Sequence, residues 1–352
     1  MRIEKDALGE MPLPDGAYYG IQAFRSLSNF DVTDKTFNDY PAVVRALAEI
    51  KKACALANRD IGALGADKAG AIVRACDDIL EGRMEGQFPV NIWRGGGTSI
   101  NMNLNEVIAN RANELLTGHK GYEQVHPNTH VNMCQSSNDV YPTAENIVLY
   151  RETGRALEGV AALENSFARK SKEFGGVVRL GRTCLQDGVP MTLGQVFAGF
   201  HGVIRRSRER LETLREGFRV GVLGGTVIGT GLGVLPGYVE SVYPHLSAIV
   251  GFEMHLPDTP EGSPVSDAGL FDAMQNADGL LTLSGALKVL ACSAGKIAND
   301  FRLLSSGPRS GFGEIRLPAV APGSSIMPGK INPFMCDLVV QIMHQVAAND
   351  WA

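Results

Sequence analysis

Four segments of the chain concentrate neutral hydrogen-bonding side chains. They are GGGTSINMN (95–103), QSSNDVYPT (135–143), GRTCLQD (181–187) and GSSIMPGKINP (323–333). Ser, Thr, Asn and Asp before a helix are typical caps, and backbone N–H groups at a helix start also bind anions. Preorganised dipoles stabilise negative charge that grows during a reaction. Four such segments together indicate a small polyanionic ligand such as a dicarboxylate, with helix capping as the alternative for each segment taken alone.

The fourth segment has the composition of a loop. Its two glycines and two prolines exclude a continuous helix or a central strand. The same segment carries two serines, Lys330 and Asn332. A lysine among flexible neutral donors favours part of an anion pocket over a plain surface loop.

Long helices must position these segments. Apolar residues recur at helical spacing over three stretches, 143–173, 191–218 and 266–304. Helices of this length run about 40 to 60 Å and are stable only when they pack against one another. The third stretch is also lined with small residues, which let neighbouring backbones approach closely on more than one side. We therefore expect a helical bundle that associates with further copies of the chain, with a monomeric bundle as the alternative.

Shorter helical runs precede the long ones. They cover 41–58, 66–82 and 100–117, and their connections contain Pro and Gly. This change predicts a mostly helical N-terminal domain at 1–138 and a domain of long helices at 139–352. The segments 179–190 and 221–237 are predicted to be turn-rich. Their glycines do not form a dinucleotide loop, because Pro236 breaks the chain where the helix of such a site would begin.

Composition limits the classes of partner. The chain has 352 residues and a formal net charge of -5, and it has no basic stripe, which argues against nucleic acid and anionic membranes as partners. The N-terminus is charged from its second residue, so we expect a cytoplasmic protein. Six cysteines without a CxxC pair suggest neither a zinc site nor disulfides, and each is expected to be a buried free thiol.

The sequence resembles the fumarase and aspartase superfamily over essentially its whole length. The motifs that carry the resemblance are DGAYYG, GGGTSINMNLNEVIAN, HPNTHVNMCQSSNDVYPTA, GRTCLQDGVPMTLGQ, GTVIGTGL, KIANDFRLLSSGPRSGFGEIRLP and GSSIMPGKINP. The resemblance implies an all-α fold of three domains, a homotetramer with a core of long helices, and active sites that are each built from three subunits. It also implies reversible trans elimination from a four-carbon dicarboxylate, in which a base removes a proton, an enediolate-type dianion forms, and ammonia or water departs.

The resemblance assigns roles to residues of this chain. Ser324 would be the general base on a mobile loop, and Lys330 and backbone N–H groups would activate it, since a serine hydroxyl alone is a weak base. Loop closure would bring Ser324 to the substrate. The residues that would hold the carboxylates and the leaving group are Thr98, Asn101, Ser136, Ser137, Asn138, Thr183, Lys330 and Asn332, and Cys184 would line the pocket. No cofactor and no metal ligand are implied, and activation by a divalent cation is left open.

Two positions bear on which lyase the chain is. Fumarases of the superfamily carry a histidine in place of Cys184 and a glutamate in place of Asp337, and that pair handles water. The sequence RLLSSGPR resembles the aspartase version, whereas GFGEI and MPGK resemble fumarase. We therefore predict an ammonia-lyase that acts on aspartate. The alternatives are a class II fumarate hydratase, a C–N lyase for an N-substituted aspartate, and a structural protein without catalysis.

The chain ends at Ala352, within the helix that should follow the fourth segment. Members of the superfamily continue well beyond this point, completing the bundle and adding a small third domain. We therefore expect the C-terminal part to be absent from this chain and the bundle to be incomplete.

Overall fold

The structure is a computed structural model that describes residues 1–93, 97–259, 261–263, 265 and 268–352. The chain forms two units. The first unit comprises Met1–Arg151 and Phe218–Asn276, and the second comprises Glu152–Gly217 and Ala277–Ala352.

Helices make up most of both units. The elements run in chain order as β1 (Arg2–Asp6), β2 (Gly9–Leu13), α1 (Ile21–Asn29), α2 (Pro41–Asp60), α3 (Ala66–Leu80), α4 (Thr98–Thr117), α5 (Ser137–Glu173), β3 (Val178–Thr183), β4 (Gln186–Thr192), α6 (Leu193–Glu216), α7 (Tyr238–Val250), α8 (Ala268–Ala273), α9 (Asp278–Leu304) and α10 (Phe334–Trp351). Strand β1 pairs with β2, and β3 pairs with β4, both antiparallel. The predicted all-α class is confirmed, with two short hairpins as additions.

The core of the first unit is built around α2. This helix begins at Pro41, a residue suited to a first helical turn because its missing N–H would have no intrahelical partner there. Helix α2 packs against α3 and α7, and its residues Leu47 and Ile50 are fully buried. Tyr238 at the start of α7 is also fully buried, and its hydroxyl donates to Cys54 Sγ at 3.1 Å. The side chains of α2 therefore lie mostly away from water.

The start of α1 is held by a buried carboxylate. Glu106 in α4 accepts hydrogen bonds from the backbone N–H groups of Gly20 (2.9 Å), Gln22 (2.8 Å) and Ala23 (3.1 Å). The first N–H groups of a helix have no intrahelical acceptor, so the carboxylate satisfies them. Burial raises the pKa of Glu106 to about 8, although these hydrogen bonds act in the opposite direction. Glu106 thus ties the N-terminal segment to α4.

A cluster of phenylalanines forms the core of the second unit. Phe167 of α5, Phe197 and Phe200 of α6, and Phe301 of α9 have ring centroids 5.5 to 6.3 Å apart. Tilted and edge-to-face arrangements at such distances stabilise aromatic pairs beyond the burial of their area. The cluster joins three helices that are distant in sequence.

Helix α9 leaves much apolar surface outside the core of the second unit. It packs against α6 and α10, yet Leu281 is 71% exposed. By length and composition, α9 is the one helix among the described residues that could cross a membrane, and 22% of its most apolar window is buried. The predicted oligomer would bury such exposed apolar residues between chains. The oligomer itself stays a prediction.

The helix predictions hold for five of the six stretches, which correspond to α2, α3, α4, α5 and α6. The stretch 266–304 is wrong as one helix, because the chain breaks between α8 and α9. Gln275 Nε2 donates to the carbonyl oxygen of Phe271 at 2.9 Å, while the backbone N–H of Gln275 donates to Asp272 instead. The side chain thus takes the place of the backbone donor that a continuous helix would supply. Residues 266 and 267 lie outside the described part of the chain.

Two further expectations need correction. The turn-rich segment 179–190 is mostly the β3–β4 hairpin, in which the strands satisfy each other's backbone groups around a two-residue turn. All six cysteines are free as predicted, but Cys184 and Cys292 are exposed, because one lies in that turn and the other on an uncovered part of α9. The predicted domain boundary at residue 138 stays a prediction.

We expect Gly20→Ala to lower the free energy of unfolding by about 1 to 3 kcal/mol, as overpacking typically does. A Cβ at Gly20 would clash with the Tyr122 hydroxyl and lie 2.7 Å from Cδ of the buried Glu106, so these side chains or α1 must shift. Urea unfolding of both proteins measures the change. Gly16→Ala is the matched control, since a Cβ there has no atom within 4 Å. Equal stability of the two variants would contradict this account of the α1 start.

Candidate active site

Two of the four polar segments come together in the first unit. Asn101 lies in the first turn of α4 and is 1% exposed, and Ser137 is the first residue of α5. Asn101 Nδ2 donates to Ser137 Oγ at 3.1 Å. The segments 95–103 and 135–143 therefore converge as predicted, although Gly95 and Gly96 lie outside the described residues.

Asn132, which lies just before the second segment, connects these residues to the core. Its Oδ1 accepts hydrogen bonds from Asn101 Nδ2 (3.1 Å), Asn105 Nδ2 (3.1 Å) and Lys51 Nζ (2.9 Å). Lys51 Nζ also donates to Gln135 Oε1 at 2.7 Å. These contacts join α2, α4 and the turn before α5 through polar side chains.

Lys51 is the buried charge of this group. It is fully buried, and burial lowers its pKa to about 8, because the interior disfavours the charged form. Asp139, also fully buried, is a carboxylate that favours the charged form of Lys51. A cation and an anion thus lie behind the neutral donors.

Asp139 fixes the beginning of α5. Its Oδ1 accepts from the backbone N–H of Ser136 and its Oδ2 from that of Thr226, both at 2.9 Å. Thr226 has a φ of 55°, a left-handed conformation that is strained for a β-branched residue. Burial raises the pKa of Asp139 to about 7 despite these hydrogen bonds. The carboxylate therefore holds α5 to the loop that precedes α7.

A cavity of about 510 Å³ opens beside the start of α5. Its polar lining includes Ser137 and Asn138, and its apolar lining includes Ile228, Phe271 and Met274. The volume lies within the range of small-molecule sites, and such sites are mostly apolar with a few placed donors. The cavity is the place in the first unit where a ligand would meet the predicted donors.

The remaining predicted residues of the first unit lie at the same helix starts. Thr98 is exposed as the first residue of α4. Ser136 Oγ accepts from the backbone N–H of Asn138 at 3.2 Å. The oxygen of this serine therefore caps the start of α5, which is the alternative to ligand binding given above. Asn138 is exposed, and its Nδ2 donates to the carbonyl oxygen of Val227 at 2.8 Å. The two helix starts thus present hydroxyl and amide groups.

In the second unit, Thr183 and Cys184 occupy the end of the β3–β4 hairpin. Cys184 and Leu185 form its two-residue turn, with φ values of 51° and 62°. Such a turn normally uses Asn or Gly, which adopt positive φ values readily. The backbone is therefore strained at Cys184 and Leu185. The hairpin is fixed by ion pairs from Arg179 and Arg182 to Glu314. The exposed thiol of Cys184 therefore lies at the end of a hairpin that ion pairs hold in place.

The loop at 323–333 closes on itself. The backbone N–H of Gly323 donates to the carbonyl oxygen of Lys330 at 2.8 Å, and Asn332 Nδ2 donates to the carbonyl oxygen of Gly323 at 2.7 Å. We name this pair of bonds the clasp. Asn332 is therefore engaged in holding the loop, whereas the side chain of Lys330 is exposed.

Ser324 lies inside the loop next to the clasp. Its Oγ accepts hydrogen bonds from the backbone N–H groups of Ile326 (3.3 Å) and Met327 (3.0 Å). Two N–H groups aimed at a hydroxyl oxygen stabilise negative charge on it and so favour its deprotonation. The sequence predicted that backbone donors surround Ser324, and this arrangement supplies two of them.

Among the described residues, no hydrogen bond joins the segments 181–187 and 323–333. Asp337 at the start of α10 pairs with Arg302 Nε at 2.9 Å. In the described ranges, no group of three or more His, Cys, Asp or Glu side chains is placed to hold a metal ion.

Sequence reasoning missed Lys51, Asn132 and Gln135. Gln135 opens the polar segment 135–143 and Asn132 lies in the motif HPNTHVNMCQSSNDVYPTA, but neither residue was given a role of its own. Lys51 gave no such signal, because the pair Lys51–Lys52 is typical of a solvated helix face. Only the fold shows that one of the two is buried.

Comparisons with known proteins agree with one another. A family described as lyase matches residues 9–348. The aspartate ammonia-lyase of Bacillus subtilis is 45% identical over 352 residues, which are 99% of this chain and 71% of that protein. The class II fumarate hydratase of Ralstonia nicotianae is 43% identical over 355 residues, covering 100% of this chain and 74% of that protein. The crystal structure of fumarate lyase:delta crystallin from Brucella melitensis bound to cobalt has a TM-score of 0.93 and 47% identity, covering 99% of this chain and 74% of that chain.

We expect Asp139→Asn to destabilise the protein by about 1 to 3 kcal/mol, the usual effect of leaving a buried donor without an acceptor. An asparagine side chain has one oxygen, so it cannot accept from both the Ser136 and Thr226 N–H groups. Denaturant unfolding gives the difference. Asp67→Asn, at an exposed carboxylate of the same unit, serves as the control and should change stability little. A loss no larger than that of the control would contradict the role given to Asp139.

Proposed function

Because the chain belongs to the lyase family that includes aspartate ammonia-lyases and class II fumarate hydratases, we propose that it converts L-aspartate reversibly to fumarate and ammonia. The observation that carries the mechanism is the pair of backbone N–H groups aimed at Ser324 Oγ. They supply what a serine needs in order to act as a base.

Ser324 removes a proton from the carbon next to one carboxylate. The Ser324 hydroxyl first releases its own proton to solvent. Its alkoxide then takes the substrate proton, and the electron pair of the broken C–H bond moves into that carboxylate, which becomes an enediolate-type dianion. The N–H groups of Ile326 and Met327 stabilise the alkoxide before transfer, and the cationic Lys330 on the same loop favours the same state. The loop thereby generates the base and presents it on a segment that is able to move.

The helix starts of the first unit hold the substrate. Donors from Thr98, Ser136, Ser137 and Asn138 suit two carboxylates, one of which gains charge in the dianion. Asn101, whose NH₂ group donates to Asn132 and Ser137, lies behind these donors and supports Ser137. In the second step the electron pair returns to form the C=C bond, the C–N bond breaks, and the amine leaves with the bonding electrons and is protonated. We assign Thr183, Cys184 and Asn332 to substrate binding as well.

The second unit favours ammonia over water as the leaving group. Cys184 is a small thiol on a strained turn, and Asp337 is engaged by Arg302. These two residues do not replace the His–Glu pair of fumarases. A thiol does not transfer protons near neutral pH as an imidazole does, and the Asp337 carboxylate is paired with an arginine. The hydratase is therefore the alternative reading of the site.

A specific observation supports a second candidate substrate. The cavity beside Ser137 has apolar walls from Ile228, Phe271 and Met274 and a volume of about 510 Å³. That space accommodates more than a bare amino group. An aspartate with an apolar substituent on nitrogen, which would release an amine, is the second candidate.

We infer that the enzyme works as a homotetramer in the cytoplasm, with active sites shared between subunits and without a cofactor. The exposed apolar residues of α9, such as Leu281, support association between chains. The elimination described above is complete with a serine base and neutral donors, so it needs no redox or electron-sink group.

Ser324→Ala is expected to lower kcat by at least about 10³-fold, since removal of a base or nucleophile typically costs that much or more. Fumarate formation from L-aspartate, followed by ultraviolet absorbance, measures the effect. Ser166→Ala, at a half-buried serine of α5 outside the predicted site, is the matched control and should keep full activity. Both variants should retain the wild-type oligomeric state in size-exclusion chromatography. Turnover by Ser324→Ala near the control rate would sink the assignment.

Wild-type protein should form fumarate from L-aspartate and much less, if any, from L-malate, because the residues that would handle water are replaced. The same absorbance assay with equal concentrations of L-aspartate, L-malate and an N-alkylated L-aspartate compares the three readings. Fumarate from malate but not from aspartate would identify a hydratase. A higher rate with the N-alkylated substrate would favour the second candidate.

A further inference from the structure

Lys51 occupies a costly position for an ammonium group, since it is fully buried within α2. Its hydrogen-bond partners are the amide oxygens of Asn132 (2.9 Å) and Gln135 (2.7 Å). A lysine ammonium donates and never accepts, so both amides must turn their oxygens toward it. Lys51 fixes the orientation of these two side chains together with backbone carbonyl groups. Asn132 Nδ2 donates to the carbonyl oxygen of Gln135, and Gln135 Nε2 donates to those of Val131 and Met133, each at 3.0 Å.

The orientation is passed on to Asn101 and Ser137. Asn132 Oδ1 faces Lys51, so Asn101 can approach that oxygen only with its NH₂ group, which it does at 3.1 Å. The same NH₂ group donates to Ser137 Oγ at 3.1 Å. Because a hydroxyl that accepts there still has one proton to donate, Ser137 is left as a donor at the cavity that it lines.

We propose that Lys51 is a positioning residue for the reaction, which directs the Ser137 hydroxyl to donate to a substrate carboxylate by fixing the amides of Asn132 and Asn101. The inference rests on the proposed function, because it takes a dicarboxylate as the ligand. Lys51 itself touches neither the substrate nor the reacting atoms.

The protonation of Lys51 provides a distinct readout. Burial lowers its pKa to about 8, and the titratable groups that act on it are Cys54 of the same helix, Asp139 of α5 and Cys76 of α3. A neutral amine no longer makes charge-assisted hydrogen bonds to the two amide oxygens, so above that pH the amides are held less firmly in their orientation. Affinity for a dicarboxylate should therefore fall as the pH rises through about 8.

Succinate, an unreactive four-carbon dicarboxylate, is the probe, and titration calorimetry measures its affinity. Lys51→Met should weaken binding by about 10- to 100-fold, the range for loss of a charge-assisted hydrogen-bond network. Lys52→Met is the matched control on the same helix, since Lys52 pairs with Asp77 at 2.6 Å and not with the amides. Lys51→Arg, which stays charged, should keep more affinity than Lys51→Met. Unchanged affinity in a folded Lys51→Met protein overturns the proposal.

A double-mutant cycle separates positioning from general structural damage. If Lys51 acts through the Ser137 hydroxyl, Lys51→Met should weaken succinate binding by no more than about twofold in a Ser137→Ala background. A loss as large as in the wild-type background would show that Lys51 supports the structure and not this donor.

A measurement without any change at Lys51 covers the case in which its variants do not fold. Succinate affinity of the wild type should fall by about tenfold between pH 7 and pH 9.5 as a charge-assisted network becomes neutral, and Ser137→Ala should flatten this dependence. Equal pH dependence in both proteins overturns the proposal. Failure of the wild type to bind succinate at any pH would contradict the dicarboxylate site itself, whereas normal binding without fumarate production from aspartate would contradict only the proposed reaction.

Discussion

The polar side chains of the first unit are arranged around one buried ammonium group, that of Lys51, which needs hydrogen-bond acceptors. Lys51 on α2 reaches Asn132 and Gln135 in the turn before α5, and Asn132 in turn meets Asn101 on α4. A charge removed from water is tolerated only when such partners are in place. Three separate elements must therefore adopt one relative arrangement before Lys51 can be buried. The positions of the donors at the starts of α4 and α5 follow from this arrangement.

Carboxylates do comparable work elsewhere in the chain. Glu106 and Asp139 accept backbone N–H groups that have no partner within their own helix or loop, and Glu314 braces the β3–β4 hairpin through two arginines. Each of these groups connects segments that are far apart in sequence. Apolar packing fills the spaces between helices, as the phenylalanine cluster of the second unit shows, but directional contacts with charged groups define the positions of the loops and turns that carry chemistry.

The sequence was sufficient for two of the three long helices. Helical spacing over 143–173 and 191–218 is a local property, and α5 and α6 follow it closely. It failed between α8 and α9, where Gln275 Nε2 donates to the carbonyl oxygen of Phe271, since periodicity does not report such a side-chain contact. The resemblance supplied Ser324, but the hydrogen bonds around its oxygen depend on loop conformation. Lys51 was out of reach because burial of one of two adjacent lysines is decided by the packing of α2 against distant helices.

The clasp closes the loop at 323–333 into a ring that is joined by hydrogen bonds. Its ends, Gly323 and Asn332, are joined by hydrogen bonds, so the residues between them sample far fewer shapes than an open chain of equal length would. Rotation about the bonds outside the ring moves Ser324 as part of a preformed object. A change of length in the segments that flank the ring would leave the contacts of Ser324 intact, whereas an insertion within the ring would disturb them.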